Sequence, residues 1–241
     1  MAILEICCGN IESVHAAVKG GARRVELCSA LELDGLTPSW DSLRKARALY
    51  PSIKIHVLIR PRSGGFCYTA SELSGIKADI LTALQLGADG IVAGCLTPEG
   101  DVDIPAMREL MTVARNVTFH RAFDVCRDPH RALEEIVGLG CARLLTSGQA
   151  RTAEEGVGLI QSLQEQAGGR IIIMPGCGVT PLNARHILES TGCTEIHASA
   201  SVTDGGRKVT SARTVREIAA ALRQTTPIRA TDGKTAQNPS A

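Results

Sequence analysis

Cys7 and Cys28 each stand two residues beyond a glutamate, Glu5 and Glu26, near the end of a short apolar run, "ILEIC" and "RVELC". Were these runs neighbouring strands, ~4.8 Å apart, the two thiols would face one another. Two facing thiolates suit a soft monovalent ion such as Cu(I), and a reducing compartment favours that oxidation state; simple packing of two small apolar side chains accounts for the same spacing equally well. Other residues offer a different chemistry. Arg60, Arg62 and Arg121 could hold an anionic substrate in bidentate fashion. Glu26 or His120 would then serve as general base or acid, with Asp124 orienting its neighbour. Glu5, Thr146, Ser147 and His197 complete the polar set, and "MPGCGVTP", carrying Gly176 and Gly178 ahead of a helix, could cradle a phosphate or merely close a loop.

For these side chains to meet, the elements that carry them must converge. Eight β-prone runs, "ILEIC", "RVELC", "IKIHVLI", "GIVAG", "VTFH", "ARLLT", "RIIIM" and "TEIHAS", alternate with helical stretches. Thr37-Pro38, Asp128-Pro129 and Thr180-Pro181 read as helix starts. Glycines before the next strand, in "KGGARRVEL", "LGADGIV", "LGCARLL" and "TGCTEIH", read as helix ends. No G-x-G-x-x-G follows the first run, which argues against an open dinucleotide-binding sheet. The spacing predicts an α/β fold of the (β/α)8 TIM-barrel type, a single domain over residues 1–224, with a polar loop "VTDGGRK" before the last helix and a disordered tail over 225–241.

In such a barrel the outward strand residues pack under helices and must be apolar, so the polar alternates face the lumen. That assigns Glu5, Cys7, Glu26, Cys28, His56, Arg60, Thr118, His120, Glu195, His197 and Ser199 to the interior. Buried charges persist when paired or when they act on something. A lumen of mutually satisfied salt bridges and a functional pocket both remain open.

A formal net charge of +1 and only six aromatic residues argue against a nucleic-acid partner. No apolar stretch approaches the ~20 residues needed to cross a bilayer, and no basic segment leads into an apolar run at the N-terminus, so a cytoplasmic protein is expected with no membrane partner. Nine cysteines without a C-x-x-C pair then read as thiols.

The strings "EICC", "RVELC", "GLTPS", "IRPR" followed by "FCY", "VTFHRAFD", "LTSG" and "MPG" resemble the CutC copper homeostasis family. The resemblance implies a cytoplasmic barrel, a homodimer or homotetramer, that binds copper through thiols at Cys7 and Cys28. Two departures stand out: Ser63-Gly64-Gly65 where the family often has Gly-Gly-Asp, and Asp34-Gly35 where it often has two glycines. The function expected is copper handling through Cu(I); the alternative is a barrel enzyme acting on a small phosphorylated or carboxylated metabolite.

Overall fold

The computed structural model describes residues 2–204 and 207–223; the expected tail over 225–241 lies outside them. All eight β-prone runs are strands: β1 (Ile3–Cys8), β2 (Arg24–Leu27), β3 (Lys54–Leu58), β4 (Gly90–Ala93), β5 (Val117–Phe119), β6 (Arg143–Thr146), β7 (Ile172–Pro175) and β8 (Glu195–Ala198). They form one parallel sheet in the order β7-β6-β5-β4-β3-β2-β1-β8. The ring is nearly closed, since β7 and β8 lie side by side but no ladder joins them among the described residues. Each strand is followed by its helix: α1 (Ile11–Gly20), α2 (Trp40–Leu49), α3 (Ala70–Gln85), α4 (Ile104–Met111), α5 (Pro129–Gly138), α6 (Val157–Ala167), α7 (Ala184–Thr191) and α8 (Ala212–Arg223). This is a TIM barrel.

The main core lies between the strand ring and the helices. Ile6, Val25, Leu27, Ile55, Val57, Ile91, Phe119, Leu144, Ile173 and Ile196 point outward into it and are buried. Helix faces meet them at helical spacing, as with Ala132, Leu133 and Ile136 of α5 or Val215, Ile218 and Leu222 of α8. The outward strand residues are therefore apolar by necessity, which leaves the inward set free to be polar.

Helix starts follow the sequence reading in part. Asp128 caps α5 ahead of Pro129, as expected. Thr37 does not cap α2; its Oγ1 accepts the Arg60 N–H at 2.9 Å, tying the loop after β2 to the end of β3, and Ser39 caps the helix instead. Thr180 likewise does not start α7, because Asn183 Oδ1 accepts the Thr180 N–H and the helix begins at Ala184. The expected helix-ending glycines, Gly21, Gly87, Gly140 and Gly192, all have φ between 70° and 93°, the left-handed region that glycine reaches without a Cβ clash. The stretch expected as a polar loop contains a hairpin, β9 (Ser201–Asp204) antiparallel to β10 (Arg207–Thr210).

Candidate functional site

The lower lumen is an ionic network. Arg24 stands beside Glu5 in the β1–β2 register and donates Nε to Glu5 Oε2. Its Nη2 donates to Glu195 Oε2 and contacts Met174 Sδ at 3.2 Å. Arg143 Nε reaches the same Glu195 oxygen at 2.8 Å, so two carboxylates and two guanidinium groups balance in a water-poor interior. Glu5, with no exposed surface, also binds His197 Nδ1 through Oε1 at 2.8 Å, and His56 Nδ1 lies 3.5 Å from its Oε2. Burial pushes the Glu5 carboxyl upward, but the His197 hydrogen bond and the charges of His197, Arg24 and His56 outweigh it and hold the group well below the usual carboxylate range. His197 shows the reverse: burial opposes its charge, and Glu26, Cys7 and Glu5 together raise it well above an ordinary histidine.

A glycine makes room for the imidazole of His56. A Cβ on Gly90 would lie 2.7 Å from the His56 ring and 2.8 Å from the Asn116 carbonyl oxygen. Gly90→Ala is therefore expected to destabilise the protein by about 1–3 kcal/mol, as overpacking does elsewhere. Urea denaturation would register this as a lowered midpoint; an unchanged midpoint would mean the ring relocates freely.

Above this network lies the thiol layer. Cys7 is level with Glu26 in the β1–β2 register, and the Cys7 and Cys28 sulfurs are 3.5 Å apart. The Cys7 thiol donates to Glu26 Oε1 at 3.5 Å, the Cys28 thiol to the Cys8 carbonyl at 3.5 Å. Leu58 and Val92 enclose the pair on its apolar side. Donor atoms of Cys7, Glu26 and His197 all lie within 4.8 Å of one another, and with His197 Nδ1 committed to Glu5 its Nε2 is the nitrogen left for a ligand. The hydrogen bond shared with Cys28, burial and the neighbouring Glu26 charge keep the Cys7 thiol well above its usual range. Burial likewise raises Glu26, whose Oε2 has no hydrogen-bond partner among the described residues. Cys8 faces the other way and packs in the outer core.

The remaining candidates line the C-terminal ends of the strands. Asp124, in a 3₁₀ turn at Arg121–Val125, accepts from Arg121 Nε at 2.7 Å, Thr146 Oγ1 at 2.5 Å, Ser147 N at 3.0 Å and Ser147 Oγ at 3.0 Å. Its oxygens, and with them Arg121, Thr146 and Ser147, are occupied in fastening the loop after β5 to the loop after β6. Arg62 pairs with Glu72, which also closes a capping box with Thr69 at the start of α3. Arg60 and His120 are buried, and among the described residues neither has a carboxylate partner. Gly176 gives its N–H to the Thr146 carbonyl, and Gly178 has φ 71° with Thr152 packed where a side chain would go. Ser199, expected in the lumen, is exposed and bonds Ser201.

Arg24, Arg143, Asn116 and Met174 escaped the sequence reading, although Arg24 shares the parity of Glu26 and Arg143 that of Leu145. Both arginines stand at strand starts, where a positive residue reads as a solvated strand end.

Fold and lumen define a TIM barrel whose centre is charged below and thiol-bearing above. The CutC family model matches residues 2–202, and the chain belongs to the CutC family. It is 51% identical over 198 residues to the family protein CutC of Bacteroides thetaiotaomicron, covering 81% of this chain and 80% of the relative. The corresponding protein of Chromobacterium violaceum is 50% identical over 200 residues, covering 82% of this chain and 81% of the relative. Among solved structures, the CutC protein of Streptococcus agalactiae, assigned provisionally to copper homeostasis, superposes with a TM-score of 0.79 at 34% identity, covering 83% of this chain and 99% of that one. Phosphoribosylanthranilate isomerase of Thermotoga maritima, at 15% identity and a TM-score of 0.62, covers 92% of this chain and 99% of that one and shares the fold alone.

Proposed function

We propose that this barrel serves copper homeostasis in the cytoplasm by binding Cu(I) as cargo through Cys7 and Cys28, with His197 as the third donor. The observation that carries this reading is the 3.5 Å separation of two thiol sulfurs beside an imidazole inside a protein lumen. Thiolate and imidazole are the donors that soft Cu(I) selects, and a carboxylate is not. Glu26 fits a different task, since its Oε1 already accepts the Cys7 S–H and is placed to take that proton as the thiolate forms. The Glu5 carboxylate on His197 Nδ1 fixes the ring orientation, as outer partners of metal-binding histidines do. The assignment of the Streptococcus agalactiae relative to copper homeostasis supports the same function. All nine cysteines are free thiols, in keeping with a reducing compartment.

Because Cys7 and His197 both hold their protons firmly, Cu(I) uptake releases protons and tightens as pH rises. Competition against a chromogenic Cu(I) chelator tests the site. Cys7→Ser/Cys28→Ser should weaken binding by more than the roughly 10–100-fold that loss of an outer partner costs; equal affinity in parent and double variant removes the assignment. The homodimer or homotetramer that the family resemblance implies belongs to this reading and is checked by light scattering.

A further inference from the structure

Three arginines stand at the mouth of the barrel, and their surroundings differ. Arg62 is paired with Glu72 and Arg121 with Asp124. Arg60 is 5% exposed, yet among the described residues no carboxylate pairs with it. Its Nη1 donates to the Leu33 and Gly35 carbonyls at 3.0 and 3.1 Å, and its Nη2 to the Gly64 carbonyl at 2.9 Å. A guanidinium has five N–H donors. Three are spent on neutral carbonyls, which leaves Nε–H, without a partner among the described residues, and one N–H of Nη2. Those two nitrogens share the guanidinium carbon, and a pair of this kind is what a carboxylate engages in bidentate fashion. A buried cation without a counter-charge is costly, which favours an anion at this place.

The neighbours agree. Phe66 has the Arg60 guanidinium carbon 4.9 Å from its ring centroid and the His120 ring 5.0 Å away, so it joins the two groups. His120 Nδ1 accepts the Ala122 N–H at 3.2 Å, which places the proton of the neutral ring on Nε2. That Nε2–H is buried and, among the described residues, also lacks an acceptor, as does the hydroxyl of Tyr68 on the same loop as Phe66. Every unspent polar atom of this group can donate, whereas the thiol layer offers an unspent acceptor, Glu26 Oε2.

We propose that Arg60, His120, Phe66 and Tyr68 form a binding site for a small organic carboxylate, separate from the thiol pair. The carboxylate engages Arg60 through Nε–H and Nη2–H, and a further acceptor on the ligand meets His120 or Tyr68. This goes beyond copper binding and does not depend on it.

Acetate and inorganic phosphate are the probes, titrated into the copper-free full chain while the Arg60 Nε–H resonance is followed by nitrogen–proton NMR. Acetate is expected to shift that resonance saturably at one site per chain, in the parent and equally in Cys7→Ser/Cys28→Ser. Arg60→Lys, which keeps the charge and loses the fork, should weaken acetate at least about 10-fold. Since Arg60 also ties three loop carbonyls, Phe66→Leu, which removes no hydrogen bond, gives a second reading and should weaken acetate several-fold. Saturation by phosphate with no response to acetate overturns the carboxylate assignment. An Arg60 Nε–H that exchanges rapidly with water and responds to neither anion overturns the site altogether.

Discussion

Arg24→Met should lower the unfolding free energy by about 3–5 kcal/mol, the usual cost of removing one partner from a buried ion pair. Arg24 is the centre of the lower lumen: it bonds Glu5 through Nε and Glu195 through Nη2. Removing it leaves Glu5, without exposed surface, supported among the described residues by His197 and the nearby His56. Glu195 keeps Arg143. Set against the roughly 5–15 kcal/mol of a typical domain, the loss is a large share of the total. The double change Arg24→Met/Glu5→Gln removes the stranded charge together with its partner and should recover part of the deficit, so the two substitutions should be strongly non-additive. Chemical denaturation of the four proteins measures this. A single-variant cost under about 1 kcal/mol, the level of an exposed pair, would show that solvent reaches the network.

Stability should also fall steeply as pH drops from 6.5 toward 4. Burial, aided by Arg24 and Arg143, pushes His56 down to about 4, and burial, aided by Arg60, pushes His120 down to about 3. Both rings take up a proton near 6.5 when the chain is unfolded. A depressed folded-state pKa means that the unfolded chain holds more protons across this window, so the contribution of both rings is present above 6.5 and is lost as pH falls through their folded values. Two such groups give a slope approaching about 2.7 kcal/mol per pH unit. Glu5 has the same sign in a lower window, present above 4.5 and lost in stronger acid. His197, raised when folded, behaves oppositely: its contribution is complete below 6.5 and disappears only as pH climbs through its elevated value. Urea titrations at stepped pH check the slope, and His120→Asn, which retains an acceptor for the Ala122 N–H, should halve it. A flat profile between 6.5 and 4 would mean that both imidazoles ionise inside the folded barrel.

The barrel was legible because eight β-prone runs alternate with helical stretches and no dinucleotide-binding glycine pattern follows the first of them. Glu5, Glu26, His56 and His197 were found by strand parity, because a charged residue inside a hydrophobic alternation has nowhere to go but the lumen. Arg24 and Arg143 were not, since the alternation weakens at a strand's first residue and an arginine there resembles a solvated end. The β9–β10 hairpin was missed for a related reason. Its strands carry one apolar residue each, Val202 and Val209, which face one another across the ladder, so no hydrophobic alternation marked them in the sequence. The bonding of Asp124 to the loop after β6 could not be read at all, because it depends on how two loops meet in space.

Two contacts of the lower lumen join residues far apart in the chain. Glu5 meets His197 across 192 positions, and Arg24 meets Glu195 across 171. During synthesis Glu5 and Arg24 therefore emerge close together, but the His197 and Glu195 groups that complete their pairing arrive only with β8. The electrostatics of the centre are thus complete only once β8 has arrived to pair with β1, a closure between distant parts of the chain of the kind that slows folding.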